Sequence, residues 1–119
     1  MTKGEVMSRV LFAAVAAVHM FVAQQGFACG AIAFNADNHA WGRAYDDNLG
    51  EAMNRAIRSC NSGCGIYGWS CNRDVSVIVF DRGHHWATYT GHFLEEARHR
   101  AREICGRDCE GFVSASGRE

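Results

Sequence analysis

Beyond its first 28 residues the chain carries five histidines, His39, His84, His85, His92 and His99. Three fall in polar stretches that read as hairpin turns: His39 in Ala36-Asp37-Asn38-His39, and the adjacent His84 and His85 in Arg82-Gly83-His84-His85. Imidazole titrates near neutral pH and ligates zinc or copper, so two such turns brought together would make a metal centre or an acid–base pair. Asp37, Asp46 and Asp81 are near enough in sequence to orient a ring. Against this, no H-x3-H or H-E-x2-H helix signature is present, and exposed polar turn residues are the simpler reading. No metal and no cofactor is therefore assigned. The alternative, a small metal-binding protein or hydrolase, would have to use His39, His84 and His85.

Other catalytic constellations are missing. Ser59, Ser62, Ser70 and Ser76 lack the G-x-S-x-G elbow, and neither a P-loop nor G-x-G-x-x-G occurs. A Cys–His nucleophile needs a free thiol, and six cysteines that pair leave none. The reading is a chain without catalytic residues. Its aromatics are more suggestive. Trp41, Tyr45, Tyr67, Trp69, Trp86 and Tyr89 concentrate on strand-like segments, with Arg43, Arg73 and Arg82 nearby. Trp, Tyr and Arg dominate binding hot spots, although in a small domain the same aromatics can simply fill the core. The candidate partner-binding residues are Trp41, Arg43, Tyr45, Trp69, Arg82 and Trp86.

The elements that must hold these residues begin after an address. Lys3 and Arg9 precede an apolar run from Val10 to Val18, and Met20 to Ala23 resumes it after His19. Gly26 and Ala28 put small residues at −3 and −1 of a cut before Cys29, so residues 1–28 read as a secretory signal peptide. The run is too short for a comfortable membrane span, so no stable membrane insertion is expected after cleavage. Lipidation of Cys29 is disfavoured: Gly26 stands where a lipobox has Leu, and acylation would leave an odd number of cysteines. Expected localisation is the periplasm or the exterior. The remaining 91 residues, 29–119, form one small domain with ten basic side chains, all arginine, against twelve acidic ones. That near balance excludes a generic nucleic-acid binder.

The domain contains itself twice, over 29–70 and 71–119. Ala31-Ile32-Ala33-Phe34 matches Val77-Ile78-Val79-Phe80, Trp41 matches Trp86, and Cys60 and Cys64 match Cys105 and Cys109. Each unit reads as strand, turn, strand, helix, short strand. The strands are Ala31–Asn35, Trp41–Tyr45 and Ile66–Trp69, then Val75–Asp81, Trp86–Thr90 and Phe112–Ala115. Leu49, Ala52, Met53, Ala56, Ile57 and Cys60 make an apolar helical stripe, with Asn48 as N-cap and Glu51 completing a variant capping box. Leu94, Ala97, Ala101, Ile104 and Cys105 make the second stripe, opposite a charged face on which Glu96 and Arg100 form an i,i+4 pair. The fold class expected is α+β: two ββαβ units related by a pseudo-twofold axis, with an antiparallel sheet carrying both helices on one face. Alternation of Val77 and Val79 with Ile78 and Phe80 marks that strand as buried on both sides. The uncovered face of the sheet is where a partner would dock.

Six cysteines allow fifteen pairings, which the repeat narrows. Cys60–Cys64 and Cys105–Cys109 occupy equivalent helix ends, leaving Cys29–Cys71 to tie the halves together. By loop entropy the long bridge is worth about 4 kcal/mol and each short one about 2 kcal/mol. The rival readings, a zinc site from two C-x3-C pairs and a redox pair, lack C-x2-C spacing.

Cys29-Gly30-Ala31-Ile32-Ala33, Trp41-Gly42, Glu51-Ala52 with Ala56-Ile57 and Cys60, then Cys64 and Cys71, form a string. It resembles the bacterial secreted family known as domain of unknown function number 4189. Residues 29–71 fit closely and 72–115 more loosely, with Ala87 in the place of Gly42 and Arg102 in the place of Ile57. The resemblance implies an exported, disulfide-rich ββα-type repeat domain of the cell envelope or exterior, and it carries over no catalytic residue. The expected function is a non-enzymatic binding domain acting on an unknown protein partner, such as an inhibitor, immunity protein or secreted effector.

Overall fold

A computed structural model describes residues 26–118, so the signal-peptide reading falls almost entirely outside the described residues. Strand β1 spans Cys29–Phe34 and β2 spans Trp41–Asp46. Helix α1 follows over Leu49–Cys60, then β3 over Gly65–Ser70. The second unit repeats the order with β4 (Val75–Phe80), β5 (Trp86–Gly91), α2 (Leu94–Cys105) and β6 (Gly111–Ser116). In each unit the first strand is central, giving three-stranded antiparallel sheets ordered β2-β1-β3 and β5-β4-β6. Phe34 lies opposite Trp41, as Phe80 lies opposite Trp86, so the two hairpins share one register.

The expectation of one sheet with both helices on one face is corrected here. There are two sheets, stacked face to face, with one helix on the outside of each. The reason lies in β1. Ala31 and Ala33 point to the helix side, where they pack against Ala52, Ala56 and Cys60 of α1. Ile32 and Phe34 point the other way, and an apolar face that size cannot stay in water. The helix in its own unit already covers the opposite face. The remaining partner is the matching face of the second unit, and Ile32, Phe34, Ile78, Val113 and Ala115 form the layer between the sheets. Val77 and Val79 meet Ala97 and Ala101 of α2 on the outer side. The strand β4 is thus buried on both faces, as its alternation implies, and so is β1. Across the layer β1 touches β6 and β4 touches β3, the reciprocal arrangement that a pseudo-twofold axis produces.

The helices begin differently. Asn48 caps α1, its Oδ1 accepting from the Glu51 amide at 3.0 Å. The capping box is not closed by Glu51, because the Asn48 amide donates instead to Asp46 Oδ1 at 2.9 Å. Helix α2 starts at Phe93 without a side-chain cap. Glu96 turns back to accept from the His92 amide at 3.2 Å, and Arg100 pairs with Glu103 rather than with Glu96. The α2 stripe is also narrower than expected: Ala97 and Ala101 are buried, while Leu94 and Ile104 face solvent. Small residues under the helices let them sit close. A methyl group on Gly42 would collide with the Ala56 carbonyl and the Cys60 amide of α1.

Three disulfides join Cys29 to Cys71, Cys60 to Cys64 and Cys105 to Cys109. The first spans 42 residues and fixes the start of β1 to the crossover between the units. Alongside it the Gly117 amide donates to the Asn72 carbonyl at 2.7 Å, lacing the end of the second unit to the same crossover.

Candidate functional site

The hairpin histidines separate. His39 sits in left-handed backbone (φ 62°), and its ring forms a three-way cluster with Phe34 and Phe80, at centroid distances of 5.9 and 5.4 Å from them, while the two Phe rings lie 5.4 Å apart. Its Nε2 is buried without a hydrogen-bond partner among the described residues. The first turn thus reaches the end of β4 through His39, but His84 and His85 of the second turn stay exposed. His85 Nδ1 lies 2.8 Å from Asp81 Oδ2. Burial pushes the Asp81 carboxyl up, but the His85 ring, the Gly83 and His85 amides and the charge of His85 outweigh it and hold the pKa below its usual value. Asp81 thus shapes its own turn, as Asn35 does in the first unit by accepting from the Asp37 amide. Asp46 serves the Asn48 amide and Arg55 rather than an imidazole. Among the described residues no three His, Cys, Asp or Glu side chains gather as a metal site would require.

The six partner-binding candidates fall in four places. Trp41, Arg43 and Tyr45 alternate along β2 on the inter-sheet side, opposite Phe34, Ile32 and Gly30. Sheet stacking is offset, so this edge strand overhangs and Trp41 remains 46% exposed. Arg43 lies 6.0 Å from the Tyr45 ring centroid and donates to the Ser114 carbonyl of β6 at 3.1 Å. Trp86 holds the equivalent place on β5, 40% exposed, with its ring edge-on to Tyr67 at 4.8 Å. Trp69 is opposite Ala31, hence on the outer face of the first sheet beyond the reach of α1, and is 50% exposed. Arg82 is at the tip of the second hairpin. The free sheet face expected from sequence does not exist, because the two faces cover each other; what is left open is the pair of overhanging edge strands.

One overhang carries a groove that the sequence reading passed over. It has a volume of about 350 Å³ between β3 and β5 and is lined by Tyr67, Gly68, Ser70, Asn72, Asp74, Ser76, Thr88 and Thr90, with Trp69 and Cys71 at its border. Ser70 and Ser76 drew notice only as possible nucleophiles. The signal for the groove was the run Trp86-x-Thr88-x-Thr90, which places one aromatic and two hydroxyls on one face of β5. A larger depression, about 530 Å³, runs along the charged side of α2 between Glu95, Arg98, Arg102 and Arg107. There Arg98 stacks 4.2 Å above the Phe112 ring, so the face is partly occupied by its own side chains.

Fold and surface define a small disulfide-braced domain built of two ββαβ units. The chain belongs to the family described as Domain of unknown function (DUF4189), whose model matches residues 29–116, nearly all of the described part. No curated protein and no solved structure matches the chain.

Proposed function

We propose that the chain is an exported, non-enzymatic binding domain that acts by protein–protein contact in the periplasm or outside the cell, as an inhibitor, immunity protein or secreted effector does. The observation that carries this reading is the exposure of Trp41, Trp69 and Trp86, between 40% and 50%, on strands that a stacked core and three disulfides hold rigid. Large aromatics fixed in place lose little conformational entropy when a partner covers them, which is why they recur as anchors. Export is supported by three disulfides in so small a domain and by the apolar run over 10–23 followed by small residues at the −3 and −1 positions before Cys29.

The test is affinity capture from envelope extract with the disulfide-bonded domain beginning at Cys29. Trp41→Ala with Arg43→Ala is expected to lose the captured partner, and His84→Ala with His85→Ala to keep it. Capture unchanged by the first pair, with circular dichroism showing both variants folded, would overturn the reading.

A further inference from the structure

We propose that the groove between β3 and β5 is a binding site for a neutral saccharide, set apart from the Trp41–Arg43 edge that the capture experiment probes. The pseudo-twofold makes the case, because five of the groove positions have a register counterpart in the other half. On β5, Thr88 and Thr90 stand where β2 has Arg43 and Tyr45. On β4, Ser76 stands where β1 has Gly30. On β3, Gly68 and Ser70 stand where β6 has Val113 and Ala115. In the β2–β6 half those residues close the space: Arg43 reaches across to the Ser114 carbonyl, and Val113 and Ala115 join the inter-sheet core. In the β3–β5 half the same positions are short and hydroxylated, and the space is open.

The open half is also chemically prepared. Ser76 lines the groove, and the missing side chain at Gly68, where a Cβ would meet the Ser76 hydroxyl, keeps that oxygen clear. Ser70 is held by Asn72, its Oγ donating to the Asn72 carbonyl or Oδ1 at 3.0 Å. Asn72 Oδ1 also accepts from the Asp74 amide at 2.8 Å, which leaves its amide NH2 group for a ligand. Asp74 uses Oδ1 on His92 Nδ1 at 2.8 Å, leaving Oδ2 as an acceptor. At the other end Tyr67 brings an aromatic ring to the groove wall opposite Thr88 and Thr90, with Trp86 edge-on to it outside the groove. Hydroxyls, one amide and one carboxylate beside an aromatic face match the alternating polar edges and apolar faces of a pyranose ring. Lysine and arginine do not line the groove and Asp74 does, so an anionic sugar is disfavoured.

The experiment uses the disulfide-bonded domain, 15N-labelled, titrated with triacetylchitotriose, with cellotriose and with a heparin oligosaccharide. Saturable shifts at the Ser76, Thr88 and Thr90 amides and the Asn72 side-chain amide are expected with one of the neutral sugars, at a dissociation constant of about 1 mM or below. Heparin is expected to leave them unmoved. Thr88→Val with Thr90→Val should weaken binding about tenfold and Ser76→Ala about fivefold. Trp41→Ala with Arg43→Ala should leave it unchanged, which separates this site from the protein-contact reading. No shift in the groove with either neutral sugar, an equal response to heparin, or binding indifferent to Ser76→Ala and to Thr88→Val with Thr90→Val would each overturn the proposal.

Discussion

Gly42 and Asp81 show how single residues set the local geometry. Gly42 lies where the backbone of α1 crosses β2, and any Cβ there meets the Ala56 carbonyl and the Cys60 amide. Gly42→Ala is therefore expected to cost about 1–3 kcal/mol, read by urea unfolding. In the second unit Ala87 occupies the equivalent position, so α2 accommodates a methyl group that α1 does not. Asp81 makes a prediction about acid. Its folded-state pKa is depressed by the hydrogen bonds to His85 and Gly83, against the opposing effect of burial. The stability it contributes is therefore fully present above the unfolded carboxylate pKa of about 3.9 and is lost as pH falls through the lower folded value. Between about pH 5 and pH 2 the wild type should lose more stability than Asp81→Asn, measured by urea unfolding at each pH. The turn histidines and tryptophans were visible as chemistry in the sequence, but their surroundings were not. The His39 ring packs against Phe80 from the other unit, a contact that no local pattern encodes.

At the level of elements, the two helices have unequal starts. Asn48 gives α1 a side-chain cap, and Asn48→Ala should cost about 1 kcal/mol. Phe93 gives α2 none and is largely exposed, so Phe93→Asn should raise stability by about 0.5–1 kcal/mol. Thermal unfolding of the two variants should move in opposite directions. The elements themselves were legible because period-2 and period-3.6 patterns recur in both units at matching places, which gave helices at 49–60 and 94–105. Less legible were the partners that charged side chains choose. Glu96 had an arginine four residues on, yet it serves the uncapped His92 amide, since an unpaired backbone donor at a helix start outbids an exposed ion pair.

For the whole molecule, the decisive fact is that two small sheets share one buried layer. Sequence showed that Val77 and Val79 face away from Ile78 and Phe80, but alternation says only that both faces are apolar, never what covers each. Ile32 and Phe34 carried the same message in the first unit, and reading them together would have required the second sheet. The same stacking hides the expected open face and creates the groove at its overhang. A domain so divided depends on its long bridge. Removing Cys29–Cys71 by paired alanine substitution should cost about 4 kcal/mol and removing Cys60–Cys64 about 2 kcal/mol, measured by chemical unfolding. Equal losses would mean that the bridge across the halves has no special role. The functional claim rests on Trp41 and its neighbours meeting a protein, and site-specific photo-crosslinking in the exporting cell tests that most directly. A photoreactive residue at position 41 is expected to give a light-dependent adduct with a discrete protein, and one at position 58, on the outer face of α1, is expected to give none. Absence of an adduct at position 41, or the same adduct from both positions, would contradict the account.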